Sequence, residues 1–129
     1  MIFLCDYYNQ ASKDLAYTLQ VAGYDATTVV INPDGFLPLD ALSPFTYYVE
    51  AEEETGKPRF FNQVPVPAFW EISGNNQMAR VSNLTEERAR ITYPEGSKAR
   101  IVKSVEWLDK SGKIRQVDHY NKYGFCFAK

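Results

Sequence analysis

Arg88-Ala89-Arg90-Ile91-Thr92-Tyr93, running directly into Pro94-Glu95-Gly96-Ser97, is the stretch from which the fold is read. Successive side chains of a strand point to opposite faces, so Ala89, Ile91 and Tyr93 line one side and Arg88, Arg90 and Thr92 the other. The polar row marks a face open to solvent or a partner, and the Pro-Glu-Gly-Ser tetrad marks a chain reversal. Working outward, strands are predicted at 46–51, 59–63, 79–82, 88–93, 100–108, 114–120 and 125–128. The later links, Asn83-Leu84-Thr85-Glu86, Pro94-Glu95-Gly96-Ser97, Asp109-Lys110-Ser111-Gly112 and Asn121-Lys122-Tyr123-Gly124, are short and hairpin-like. Neighbours in sequence therefore pair antiparallel in chain order, which makes residues 36–129 an antiparallel β-meander sheet. In 100–108, Ile101, Val105 and Trp107 share a face with Lys103, while Val102 and Leu108 share the other with Ser104 and Glu106. Apolar residues on both faces predict a second cover, supplied by the N-terminal unit, another subunit or protein outside this chain.

Upstream the text changes. Met1-Ile2-Phe3-Leu4-Cys5 is a continuous apolar run, the pattern of a strand covered on both faces, and Thr27-Thr28-Val29-Val30-Ile31 is a second run rich in β-branched residues. Between them Leu15, Leu19 and Ala22 repeat at helical spacing. Ser12 is the expected N-cap, Asp14 complements the helix dipole, and Gly23 is the expected left-handed stop. Residues 1–33 thus read as a short βαβ unit with a right-handed crossover, and the fold class is α+β. The strand-to-helix turn, Asp6-Tyr7-Tyr8-Asn9-Gln10-Ala11, has no glycine, so the backbone cannot close on a pyrophosphate as a Gly-rich loop does. Asn32-Pro33-Asp34-Gly35 is a strong turn and marks the boundary, followed by a connecting stretch with Pro38 and Pro44.

Length and charge exclude several classes. At 129 residues the chain has room for one ordinary core, not a two-domain enzyme. No apolar run reaches the ~18 residues of a transmembrane helix. The 14 basic and 16 acidic residues nearly cancel, which leaves no electrostatic reason to expect nucleic-acid binding. Nine Tyr, eight Phe and two Trp exceed what a minimal core needs and favour half-buried pleated surfaces. Cys5 and Cys126 do not make the dense disulfide framework of small secreted domains, and the N-terminus carries no basic region of a signal peptide. The expected compartment is the cytoplasm.

Residues that carry chemistry are sparse. His119 is the single histidine, and Asp118 beside it on a strand points to the opposite face, so a Ser-His-acid or Cys-His set is not expected. Glu50, Glu52, Glu53 and Glu54 read as a solvated run, and Asn83-Leu84-Thr85 as a polar turn rather than a glycosylation acceptor. The segment from Phe60 to Gln77 is the most unusual. Pro65 and Pro67 forbid a central strand and favour an extended course along an edge. Its aromatics and amides, Phe69, Trp70, Asn75, Asn76 and Gln77, suit hydrogen bonding and stacking on an extended polypeptide or a sugar. The plainer reading is a proline-stiffened crossover whose Phe69 and Trp70 plug the core.

Asp6-Tyr7-Tyr8-Asn9-Gln10, the block from Phe61-Asn62-Gln63-Val64-Pro65-Val66-Pro67 through Phe69-Trp70-Glu71-Ile72-Ser73-Gly74-Asn75-Asn76-Gln77, and His119-Tyr120-Asn121-Lys122-Tyr123-Gly124 together resemble one bacterial family. It is the glycosyltransferase-stabilising proteins, or glycosylation chaperones, of accessory-Sec loci in Gram-positive bacteria, and the resemblance runs over essentially the whole chain. It implies a GT-B-like parent with two Rossmann-like lobes and an added antiparallel sheet. That parent is non-catalytic and pairs with an O-GlcNAc transferase that modifies Ser and Thr of serine-rich repeat adhesins. Residues 1 to about 33 would begin the first lobe, and 36–129 would form most of the added sheet. Full-length members are several times longer, so the chain reads as an N-terminal portion, without activity.

The resemblance carries over no catalytic, cofactor-binding or metal position. The expected partners are the O-GlcNAc glycosyltransferase subunit and the Ser/Thr-rich adhesin polypeptide, with Phe69, Trp70, Asn75, Asn76, Gln77, Trp107, His119 and Tyr120 as contact candidates. A sheet edge left open at the last strand predicts homodimerisation. The expected location is cytoplasmic, at most peripheral on the inner face of the membrane. The competing reading is a stand-alone carbohydrate- or peptide-binding β module using Trp70, Trp107 and the tyrosines as platforms.

Overall fold

The computed structural model describes residues 1–38, 40–47, 56–95 and 99–129. Among the described residues there are two sheets. Strand β1 (Ile2–Cys5) runs parallel to β2 (Thr27–Val30) in the register Ile2↔Thr27 to Cys5↔Val30. Helix α1 (Gln10–Val21) makes the crossover between them. A two-residue strand β3 (Ala41–Leu42), lying in the stretch read as a connection, adds parallel to the other side of β2.

The helix starts earlier than expected. Asn9, not Ser12, is the N-cap: its side-chain oxygen accepts the Ser12 amide at 3.0 Å, and the Ser12 hydroxyl accepts the Asn9 amide at 2.8 Å. Ser12 therefore sits at the third helical position of a reciprocal capping box, where the sequence pattern alone did not separate the two roles. Asp14 lies one turn in and accepts from the Gln10 side chain at 2.8 Å. Gly23 takes the left-handed conformation, with φ +90°, that ends the helix.

Met1-Ile2-Phe3-Leu4-Cys5 is not covered on both faces. Ile2 and Leu4 are exposed, as are Leu15 and Val21 of α1, because one helix and three short strands bury only the side built around Val30, Leu37 and Ala41.

The second sheet has six strands in chain order: β4 (Trp70–Gly74), β5 (Met78–Asn83), β6 (Glu86–Thr92), β7 (Ser104–Leu108), β8 (Ile114–Tyr120) and β9 (Cys126–Ala128). Every neighbouring pair is antiparallel, as the short links predicted for β5 to β9, whereas β4 is an addition to the expected strands: it lies in the segment expected as an extended course or crossover and begins beyond Pro67. One face is the main core, where Ala79, Val81, Ala89, Ile91 and Val105 gather with Val64, Tyr93, Val102 and Tyr120. Val64, with Phe61 and Val66, lies in the proline-stiffened segment, which thus caps this face. The opposite face carries Arg80, Arg90, Thr92, Ser104, Glu106 and His119, all in register.

Three strand predictions shift. Pro44–Tyr47 forms a short helix, α2, because Pro44 suits a first helical position and the Ser43 hydroxyl accepts the Phe45 amide at 3.3 Å; the rest of 46–51 lies outside the described residues. Residues 59–63 give a single bridge, Phe60↔Ile101, then a 3₁₀ turn at Phe61–Gln63 closed by the Gln63 side chain on the Phe60 amide at 3.0 Å. The strand expected over 100–108 regularises only at Ser104. Arg100 has φ +54° and the chain bends at Lys103, which lets Val102 and Val105 reach one core despite opposite parity. The Glu50 and Glu52–54 run, and part of the turn after Tyr93, also lie outside the described residues. Among the described residues no helix is long and apolar enough to cross a membrane.

Candidate functional site: a polar cleft and an apolar tip

A cleft of about 420 Å³ opens where the polar face of the antiparallel sheet meets the carboxyl ends of β1 and β2. In α/β sheets this end of the strands is where ligands gather, because the loops there are free to diverge while the strands hold them in place. One wall is Tyr7 and Asn9 after β1, with Asn32 and Asp34 after β2. The other is Thr92, Ser104, Glu106 and His119 on three adjacent strands.

Local hydrogen bonds fix both walls. The Asn32 side chain donates to the Asp6 carbonyl at 2.9 Å and its amide to the same oxygen at 3.1 Å, tying the two loops together. Ser12 reaches back to the Tyr7 carbonyl at 2.8 Å. The Asp34 carboxylate accepts the Phe36 amide at 2.9 Å and shapes its own turn. On the sheet, the Thr92 and Ser104 hydroxyls bond each other across β6 and β7. Burial pushes the His119 imidazole below its ordinary value and Lys103 adds to this, while Asp118 and Asp34 partly offset it. His119 therefore presents itself neutral near pH 7, one nitrogen a donor and the other an acceptor. The cleft offers hydroxyls, amides and carboxylates rather than a nucleophile with its base. Among the described residues no cluster of His, Cys, Asp or Glu is arranged to hold a metal ion.

The second feature lies at one end of the sheet. Trp70 pairs with Asn83, and the residues just beyond that pair, Phe69 and Leu84, are 95% and 91% exposed. Both have left-handed backbones, φ +73° and +51°. Such a conformation costs a residue with a side chain roughly 1–2 kcal/mol, and exposure of a bulky apolar group adds nothing to the fold.

The contact candidates divide among these places. His119 lines the cleft and Phe69 forms the tip. Trp70, Trp107 and Tyr120 belong to the packed face, with Trp107 and Trp70 half-buried and Tyr120 buried. Asn75, Asn76 and Gln77 form the β4–β5 turn: Asn75 accepts the Gln77 and Met78 amides at 2.8 and 3.0 Å, and Asn76 accepts two bonds from the Arg100 guanidinium. The two tryptophans are thus not free platforms for a sugar. Sequence reasoning missed Asn9, Asn32, Asp34, Thr92 and Ser104 as one site, since they come from five separate positions. Leu84 carries a signal in the sequence, a leucine where a two-residue turn favours Gly or Asn.

A parallel βαβ unit followed by a six-stranded antiparallel sheet, with a polar cleft where the two meet, defines the class: an α+β chain built on a Rossmann-like start. The chain belongs to the GtfB family, whose N-terminal domain model matches residues 2–48 and whose middle domain model matches residues 70–129. It is 56% identical over its full length to the UDP-N-acetylglucosamine–peptide N-acetylglucosaminyltransferase stabilizing protein GtfB of Streptococcus gordonii, covering 29% of that protein. It is 37% identical to the protein of the same name from Limosilactobacillus reuteri, again over 29% of its length. The chain thus spans less than a third of the curated relatives it matches. Among solved structures it resembles a chain of the GtfA/B complex bound to UDP and GlcNAc, with TM-score 0.78 and 55% identity over 98% of this chain and 28% of that one. A chain of the accessory secretory protein 1, 2 and 3 complex of Streptococcus pneumoniae shares the fold at TM-score 0.57 and 10% identity. The curated relatives are named as stabilising proteins of the transferase, not as the transferase.

Proposed function

We propose that the chain is the N-terminal part of a non-catalytic subunit that docks on a peptide O-GlcNAc transferase, keeps it soluble and helps hold its Ser/Thr-rich adhesin acceptor. The observation that carries the docking role is the tip. Phe69 and Leu84 stand almost wholly in water on backbones that destabilise the fold, and a partner covering both offsets that cost. The likeness to a chain of the GtfA/B complex supports a transferase as that partner. The acceptor role rests on the cleft, whose hydroxyls, amides and carboxylates match the side chains of a Ser/Thr-rich strand. The working compartment is the cytoplasm, where unpaired thiols such as Cys5 and Cys126 stay reduced.

Co-expression with the transferase tests this reading. Phe69→Asn with Leu84→Gly relaxes both strained backbones, so the variant should be at least as stable as the parent while the transferase leaves the soluble fraction. Unchanged transferase solubility would sink the tip as the docking surface.

A further inference from the structure

We propose that the 121–124 loop between β8 and β9 is the joint that fixes the antiparallel sheet to the parallel unit, and that Gly35 and Asn121 thereby position the two walls of the cleft. Two chain segments, 35–37 and 56–59, meet at this loop, each with a glycine or the loop's own glycine at the closest approach. From the parallel unit, Gly35 bridges Asn121, and the Gly35 carbonyl accepts the Lys122 amide at 2.9 Å. The Lys122 ammonium adds a bond to the Leu37 carbonyl at 3.4 Å. From the other side, the Arg59 guanidinium donates to the Gly124 carbonyl at 3.2 Å.

Side chains are excluded at the meeting points. A Cβ on Gly35 would run into the Asn121 backbone, one on Gly56 into the Tyr123 carbonyl, and one on Gly124 into the Lys57 carbonyl. At Gly35 the requirement is close approach alone, since its φ is not among the left-handed ones. Asn121 holds the loop from within. It is buried, and its side-chain oxygen accepts the Tyr123 and Phe125 amides at 3.0 Å each.

The connection to the cleft is one of sequence neighbours. Asp34 precedes Gly35, and His119 lies two residues before Asn121 on β8. Locking Gly35 onto Asn121 therefore brings the Asp34 turn to face His119 across the opening, where both line the cleft. This positioning role holds whatever molecule occupies the cleft.

Amide exchange and the imidazole titration of His119, followed by NMR on the intact chain, test the joint. In Gly35→Ala the Lys122 amide should exchange at least tenfold faster, while amides of β1–β2 and β5–β6 keep their protection. The titration of His119 should move upward toward the ordinary value as the cleft opens to water. Asn121→Ala, which introduces no overlap, should show the same pattern more weakly. Gly112→Ala is the control: its φ is +84° but a Cβ there meets open space, so the strain stays in the β7–β8 turn. An unchanged Lys122 amide in Gly35→Ala overturns the proposal. So does protection lost evenly through both sheets, failure of both variants to fold, or release of the joint by Gly112→Ala.

Discussion

Trp107 donates its indole N–H to the Asp118 carboxylate at 2.9 Å across β7 and β8, and the Gln116 side chain donates to the other oxygen of the same carboxylate at 2.6 Å. Asp118 is buried, so this acid is held by neutral donors at the margin of an apolar core. Removing it by Asp118→Ala strands the indole donor and should cost about 1–3 kcal/mol. Trp107→Phe removes the donor instead. The two losses should be less than additive in a double-mutant cycle read by urea unfolding. Additive losses would show that the pair does not interact.

The core makes a simpler prediction. Ile91 is fully buried at the centre of the six-stranded sheet, whereas Ile114 at the start of β8 is exposed. Ile91→Ala should destabilise by about 2–5 kcal/mol through lost transfer energy and a residual cavity. Ile114→Ala should stay within about 0.5 kcal/mol. Equal effects in thermal unfolding would mean that the burial pattern of the sheet is wrong.

His119 gives the pH dependence its sign. Its folded value lies below the ordinary imidazole value because burial disfavours the charged form. Between the folded and unfolded values the unfolded chain binds more protons, so the contribution of His119 is present above the unfolded value, about 6.5, and is lost as pH falls through the folded one. A stability profile between pH 7 and 5 should slope downward toward acid. His119→Gln should flatten that part of the curve, and an identical slope in the variant would assign it to other groups.

Thr92 and Ser104 separate the cleft from the fold. Their hydroxyls satisfy each other, so Thr92→Val with Ser104→Ala removes both partners at once and should change stability by less than about 1 kcal/mol. The same double variant deletes two hydroxyls from the cleft wall. Binding of a Ser/Thr-rich peptide, measured by calorimetry, should weaken several-fold. Unaltered affinity would remove the cleft from the acceptor site.

Much of this architecture was legible in the order of residues. The alternation in 88–93 and the four turns around it dictate an antiparallel meander, because a period of two with short links has few other solutions. The continuous apolar and β-branched runs flanking a helical repeat dictate the βαβ start. Legibility failed where a side chain chose between roles. Asn9 and Ser12 are both capping residues, and only the reciprocal bonds assign the box. Pro44 was compatible with a connection or a first helical turn, and the Ser43 hydroxyl decided for the turn. Trp70 and Trp107 looked like platforms, yet the parity of their strands turns them toward the core.

The sequence by itself determined the βαβ start and the antiparallel chain order of the strands from Met78 onward, since these follow from local periodicity and turn chemistry. Only the tertiary structure decided the sites. The cleft needs Asn32 and Asp34 to meet Thr92, Ser104 and His119. That meeting depends on Gly35 lying against Asn121, 86 residues away, a contact permitted by the absence of a Cβ and invisible to any pattern of neighbours. The tip likewise exists because Trp70 happens to pair with Asn83, which sets Phe69 and Leu84, both exposed, at one end of the sheet.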